Sequence, residues 1–341
     1  MSLKLPSSRP SSYPSSYPSN YPSGDLDRDR WILGQRPPRE ILDAQKPHAF
    51  FVEDEAAACG EIIPVATMFL TNRECPWRCV MCDLWRNTLT TSLPPGAIPT
   101  QIDFALSQVP TARVLKLYNS GSFFDARAIP VKDHPAIAER ANNFDRLIVE
   151  NHPALTDDKI LRFRDRLRCR LEIAMGLETV HPDILPRLNK RMTLEQFSSA
   201  ATFLRAHDID LRVFILVQPP FMKPGDALHW GERSLDFAFD CGATAATLIP
   251  TRGGNGAMEA LATNGEFSPP SIGTLESAVT YGLSLKRGRV FADLWNADKM
   301  PGCHHCRVSR IARLREINLA QIDQAPPRCD VCGSTNSQAN A

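Results

Sequence analysis

The sequence predicts an α/β fold: a partial (β/α)6 TIM-like barrel followed by a small C-terminal metal-binding module. Three observations predict it. Short apolar runs alternate with longer amphipathic stretches between residues 62 and 295. Three cysteines crowd one loop directly after the first of these runs. Two Cys-x2-Cys pairs stand near the C-terminus. With 341 residues, 43% of them hydrophobic, the chain can build one large core with additions. A net charge of +1 gives no general attraction to a polyanion or a membrane, so any nucleic-acid contact must be local. No apolar stretch has the length of a membrane span, and the N-terminus lacks the apolar core of a secretory signal. The ten cysteines gather in metal-like groups rather than a disulfide framework, which predicts a cytoplasmic protein.

Along the chain, residues 1–24 are a Ser/Pro/Tyr near-repeat that cannot bury a core, and a disordered tail is expected. Residues 25–61 mix charge with Trp31, Phe50 and Phe51 and read as an N-terminal extension packed on the main domain. In the core, residues 62–295, strands are expected at 62–71, 113–118, 146–150, 170–178, 210–218 and 245–250, with a seventh near 289–294. Helices are expected near 101–108, 135–141, 157–166, 194–206 and 228–240. Thr193 and Gln196 have capping-box spacing at the head of the fourth. Short apolar strands joined by helical crossovers argue a parallel sheet. The same alternation also fits a doubly wound open sheet. Residues 296–341 form the C-terminal module.

In parallel βα folds, ligands bind at the C-terminal ends of the strands. The loop Cys75-Pro76-Trp77-Arg78-Cys79-Val80-Met81-Cys82 follows the first core strand on that side. Thiolate is the ligand iron–sulfur clusters favour. Cys75, Cys79 and Cys82 can hold three corners of a four-iron cube and leave the fourth iron open. Zinc would ask for a fourth ligand, and its pairs usually come as Cys-x2-Cys. Cys59, Cys169 and Cys241 each precede a strand and are expected in the core or barrel floor, away from that loop.

The Cys-x3-Cys-x2-Cys order resembles the signature of the radical S-adenosylmethionine (SAM) superfamily, and the resemblance covers residues 62–295. It implies a barrel of the radical SAM type and a [4Fe–4S] cluster on Cys75, Cys79 and Cys82. It implies SAM chelated at the open iron, cleaved by one electron to methionine and a 5′-deoxyadenosyl radical that abstracts hydrogen from substrate. A reductant such as ferredoxin or flavodoxin is implied with it. Met81 takes the position of the residue near the adenine. Ser120, Gly121 and Ser122, after the second strand, stand where the family contacts the SAM amino group, although Ser-Gly-Ser departs from the Gly-Gly-Glu-like pattern. Gly176-Leu177-Glu178-Thr179 and Leu185-Pro186-Arg187-Leu188-Asn189-Lys190 resemble the Gly-x-Glu-(Ser/Thr) and Leu-x-x-x-Asn-(Lys/Arg) stretches of the elongator-containing group, which implies Glu178 on the ribose. Gln218 fits an adenine-side wall. Asn151 and His152 belong to the same end of the barrel. Arg252 and the loop Gly253-Gly254-Asn255-Gly256 are expected to pass close to SAM or substrate, with Arg252 free for a carboxylate or phosphate. The stretches at Asn119–Asp125 and Gly176–Thr179 look most like the archaeosine-type tRNA-modifying radical enzyme, which implies an RNA nucleoside as substrate. Radical SAM chemistry on a small molecule or peptide is the second reading. A non-catalytic iron–sulfur and zinc module is the third.

Cys303-His304-His305-Cys306 and Cys329-Asp330-Val331-Cys332 together make a tetrahedral four-thiolate zinc site, with a second iron–sulfur cluster as the alternative. His304 and His305 are then bystanders. Arg307, Arg310, Arg313 and Arg315 fall on a helix-like stretch with the first three near one face. Zinc beside a basic helix suggests a nucleic-acid contact, against the reading of a solvated arginine face.

Overall fold

The computed structural model describes residues 20–333. Most of the Ser/Pro/Tyr segment, expected to be disordered, therefore lies outside the described residues. One eight-stranded sheet organises the chain, in the sequential order β1 to β8. Its strands are β1 (Ala49–Ala56), β2 (Ile62–Phe69), β3 (Val114–Tyr118), β4 (Arg146–Glu150), β5 (Arg170–Glu178), β6 (Asp210–Val217), β7 (Ala245–Pro250) and β8 (Arg289–Ala292). From β2 to β8 every neighbour is parallel. A doubly wound sheet would reverse its strand order at a switch point, so this sequence of neighbours excludes that alternative. The seven expected strands are all present.

The strand that sequence reasoning missed is β1. It pairs antiparallel with β2, Ala49 opposite Phe69 and Ala56 opposite Ile62. The extension therefore adds a strand to the sheet as well as packing on it. Before β1 comes helix α1 (Asp25–Gln35).

Alternation along the strands divides the sheet into two faces. Leu115, Leu117, Leu147, Val149, Ile173, Met175, Val213, Ile215 and Leu248 point outward into the main core. Helices cover that face: α2 (Ala97–Leu106), α3 (His134–Ala141), α4 (Asp158–Arg164), α6 (Leu194–Ala206), α7 (Ala227–Asp240) and α9 (Ile272–Ser284), with the single-turn α5 (Ile184–Arg187) and short α8 (Ala257–Thr263) at the strand ends. The capping box of α6 forms as expected. The Gln196 N–H donates to Thr193 Oγ1 at 3.2 Å, and the Thr193 N–H donates to Gln196 Oε1 at 3.1 Å.

The inner face is charged at its base. Lys116 Nζ lies 2.6 Å from Glu55, and Arg212 reaches Glu172 at 2.6 Å and Glu55 at 2.5 Å. Arg289 adds a contact to Glu172 at 3.5 Å. Burial alone would raise the Glu55 carboxyl, but Arg212 and Lys116 hold it well below the usual carboxylate range. This network ties β1, β3, β5, β6 and β8 together inside the barrel. A buried ion pair adds little net stability but breaks expensively, so it specifies one arrangement of strands. Above it Tyr118 and Phe214 meet across the barrel, ring centroids 6.1 Å apart, and close the floor.

Helix α10 (Arg307–Ala320) packs against both β8 and β1, the two ends of the sheet. Two side-chain amides bracket the outer edge of β8. Asn318 accepts from the Ala292 N–H at 2.8 Å and donates to its carbonyl at 2.9 Å. Gln321 does the same for Val290, at 2.7 Å and 3.1 Å. Among the described residues no helix is long and apolar enough to cross a membrane.

Candidate functional site

The three-cysteine loop leaves the C-terminal end of β2, as expected, and other elements brace it. Asn189, just past α5, donates to the Arg78 carbonyl at 2.7 Å, and the Val80 N–H bonds the Leu188 carbonyl at 3.0 Å. Asn255, before α8, donates to the carbonyls of Val80 at 2.8 Å and Cys82 at 3.1 Å. Glu74 beside the first cysteine accepts Arg36 at 2.7 Å, Arg78 at 3.1 Å and also Arg39. Two of these arginines come from the N-terminal extension, which thus reaches over the loop. The ring of Trp77 stacks on His152, centroids 3.7 Å apart and planes 13° from parallel. Gly121 abuts the loop so closely that a Cβ there would sit 3.1 Å from Cys75 Cβ. Burial pushes the thiols of Cys75, Cys79 and Cys82 up to about 12 in the metal-free chain. A coordinated cation deprotonates such a thiol outright.

The neighbouring strand ends carry the other expected site residues. Glu178 ends β5, and Ser120 and Gln218 lie just past β3 and β6, with φ of 66°, 53° and 54°, in the left-handed region that costs a residue with a side chain about 1 kcal/mol or more. Asn119 (Nδ2 and Oδ1), Ser120 Oγ and Asn151 Oδ1 are buried and lack any hydrogen-bond partner in the protein. Buried polar groups are nearly always satisfied, so orphans gathered on the adjacent ends of β3 and β4 fit a ligand that would satisfy them. Ser122 Oγ instead accepts the His152 N–H at 2.9 Å. Gln218 directs its amide nitrogen to the Ser268 carbonyl and hydroxyl, at 2.7 Å and 2.9 Å. Met81 joins an apolar cluster with Tyr21, Ile32, Val80, Leu188 and Leu216 beside the loop.

Glu178 forms a buried ion pair with Lys190. It passes over Gly176, where any Cβ would run into Glu178 Oε1 and Lys190 Nζ. Burial would lower the Lys190 ammonium, but Glu178, with Cys79 nearby, holds it above its ordinary value. His152 Nδ1 accepts the Ala154 N–H at 3.1 Å, so its proton sits on Nε2, facing the Lys190 carbonyl at 3.1 Å. Burial, with Lys190 adding to it, pushes this imidazole down to about 3.

Glu150, at the end of β4, escaped sequence reasoning. Its carboxylate accepts the Asn119 N–H at 2.7 Å and steadies the turn that carries Ser120 and Gly121. Burial pushes it up to about 7, against the pull of those backbone amides.

The loop Gly253–Gly256 lies against the cysteine loop, to which Asn255 donates. Gly256, at φ 86°, lies against the Gln35 carbonyl, where a Cβ has no room. Several expectations need correction. Arg252 is engaged by the protein's own Asp293 at 2.6 Å. The arginines of α10 are not a free basic face. Arg310 and Arg313 pair with Glu276 at 2.8 Å and 3.0 Å, Arg313 also with Asp323 at 2.8 Å, and Arg307 donates to the Asp298 carbonyl at 2.8 Å. Cys59, expected in the core or barrel floor, is exposed in the turn between β1 and β2, whereas Cys241 is buried at the end of α7.

At the C-terminus, Cys303, Cys306, Cys329 and Cys332 bring their sulfurs within 4.8 Å of one another. The pairs Cys303–Cys329 and Cys306–Cys332 are 3.9 Å and 3.7 Å apart. A tetrahedron with metal–sulfur bonds of about 2.3 Å has edges of about 3.8 Å. The group can therefore bind a metal ion. His304 and His305 are exposed and outside it.

The sequential parallel half-barrel, with a cysteine loop after its first parallel strand, is a TIM-barrel-like fold of the kind seen in radical SAM enzymes. Methylornithine synthase shares it with a TM-score of 0.52 at 13% identity, over 78% of this chain and 73% of that one. In sequence, the chain is similar to an uncharacterized protein of Methanocaldococcus jannaschii, 23% identical over 305 residues, 83% of this chain and 84% of that protein. It is also similar to archaeosine synthase subunit beta of Methanosarcina acetivorans, 24% identical over 218 residues. That match takes in 61% of this chain and 63% of the relative, so it spans less than two thirds of the latter. No family model matches the chain.

Proposed function

We propose that the protein is a radical SAM enzyme that holds a [4Fe–4S] cluster on Cys75, Cys79 and Cys82, binds SAM across the C-terminal ends of β2 to β6, and acts on an RNA nucleoside. One observation carries the reading. A three-thiol loop and a group of buried, unpartnered polar atoms on Asn119, Ser120 and Asn151 occupy the same end of a radical SAM-type barrel. When bound, the cluster supplies the electron that cleaves SAM to methionine and a 5′-deoxyadenosyl radical.

The chain's own residues bind and orient. Ser120 through its hydroxyl, and Gly121 and Ser122 through their backbone, face the SAM amino group. Glu178 accepts from the ribose, with Lys190 balancing its charge. Met81 and its apolar neighbours wall the adenine and keep water from the loop. Gln218 serves the same side through its backbone, because its amide is committed to Ser268. The four C-terminal cysteines hold zinc, whose bond length to thiolate matches their spacing. The reductant is an electron carrier such as ferredoxin or flavodoxin, and the compartment is the cytoplasm. The relative named archaeosine synthase subunit beta supports a nucleoside substrate.

The test is anaerobic reconstitution with iron and sulfide, reduction, and chromatography for 5′-deoxyadenosine. Wild type yields it. Cys79→Ala yields none while keeping its circular dichroism spectrum. A variant that still cleaves SAM, or a wild type that binds no iron, overturns the proposal.

A further inference from the structure

We propose that Arg310 is a positioning residue of the C-terminal metal centre, donating a hydrogen bond to the Cys306 thiolate and tying that thiolate to helix α9. The inference rests on the zinc reading above and is independent of the substrate. Cys306 is the N-cap of α10 and only 4% exposed, and the Arg310 N–H bonds its carbonyl at 2.9 Å. A spacing of four brings the two side chains to one face of the helix. The Arg310 side chain is itself largely buried, at 15% exposure. Its Nη1 donates to Glu276 Oε2 at 2.8 Å, whereas its Nε is buried and has no partner in the protein. The guanidinium lies within hydrogen-bonding reach of Cys306 and feels the charge of Cys332.

A buried N–H without a partner is rare, so an acceptor is expected beside it. A thiol is a weak acceptor, but a metal-bound thiolate is an anion. Four thiolates around a divalent cation leave two negative charges in excess at the head of α10, where the helix dipole also favours an anion. Glu276 does not remove the donor. The guanidinium is a fork of N–H groups, and the carboxylate takes one end of it. Glu276 holds that fork in place, since it also accepts Arg313 at 3.0 Å from the same face of α10. Partners of this kind, one step beyond the metal, orient its ligands and set how tightly it is held.

The experiment uses the full-length chain in a Cys79→Ala background, so that the cysteine loop does not compete for the metal, with R310M and R310K added. Zinc affinity is read by competition with a chelator, and the cobalt-substituted protein by its sulfur-to-metal charge-transfer band. R310M should hold zinc roughly 10- to 100-fold more weakly. Its band should move to lower energy, because a thiolate without a donor gives up charge more readily. R310K keeps a cationic donor and should fall between on both readouts. If R310M matches its parent on both, the proposed bond does not exist. A weaker site with an unmoved band makes Arg310 a packing residue and overturns the proposal equally. Were R310M not to fold, the band of R310K decides alone, and an unmoved band there refutes the bond. If the parent takes up no cobalt, the zinc reading falls and the role of Arg310 with it.

Discussion

The ion pair between Glu178 and Lys190 offers the sharpest test of how the site is built, and it needs no bound group. Glu178→Gln removes the anion and leaves an ammonium whose side chain is only 10% exposed. Breaking a buried pair by deleting one partner costs about 3–5 kcal/mol. The partial exposure puts this pair at the lower end, at about 3 kcal/mol. The sign with pH follows from Lys190. In the native protein burial lowers it and Glu178 raises it, with a net value above the ordinary one. Its contribution is therefore fully present below the unfolded pKa and lost only as pH rises through the higher native value. Without Glu178 burial dominates and the native value drops below the unfolded one. The deficit of the variant should then be largest near neutral pH and narrow toward pH 10. Lys190→Met alone should also destabilise, while the double variant recovers most of the loss. The assay is urea denaturation of the metal-free protein as a double-mutant cycle. A coupling below about 0.5 kcal/mol, the usual error of additivity, would show that the two residues do not act as a pair.

Two further outcomes are expected. His152 is pushed down to about 3 by burial, so its neutral form contributes stability above the unfolded value of about 6.5, lost as pH falls toward 3; His152→Gln should hold its urea midpoint between pH 6.5 and 4, where wild type loses stability, and parallel curves would show that the imidazole is not held neutral by burial. Cys329→Ser should lower bound zinc by about one equivalent and raise hydrogen exchange in α10 and β8 while β4 and β5 stay protected; unchanged metal content, measured by mass spectrometry, would rule out the four-thiolate site.

Much of the barrel was legible because a strand buried on both faces is a short apolar run, and turn residues bound it. Strand β4 was read to the residue. Strand β1 was not legible, because Glu53, Asp54 and Glu55 make it look like a charged extension. Glu55 is apolar-face material only in the company of Lys116 and Arg212, which arrive from far along the chain. Helix α9 was missed because Gly, Thr and Val dilute its pattern, although Ser271 caps it by accepting the Thr274 N–H at 3.1 Å. The cysteine loop announced itself by thiol spacing. The residues that brace it did not, since Asn189 and Asn255 act on backbone carbonyls, which leave no mark on the partner's sequence. The arginines of α10 misled for the opposite reason: their partner Glu276 sits on a different helix.

The amide brackets on β8 have a consequence for the life of the chain before it is finished. Until Asn318 and Gln321 leave the ribosome, the last strand presents open donors and acceptors at Val290 and Ala292, which is how one sheet recruits another. Two carboxamides on a late helix imitate the missing ninth strand and seal that border. Docking of α10 and loss of stickiness thus coincide.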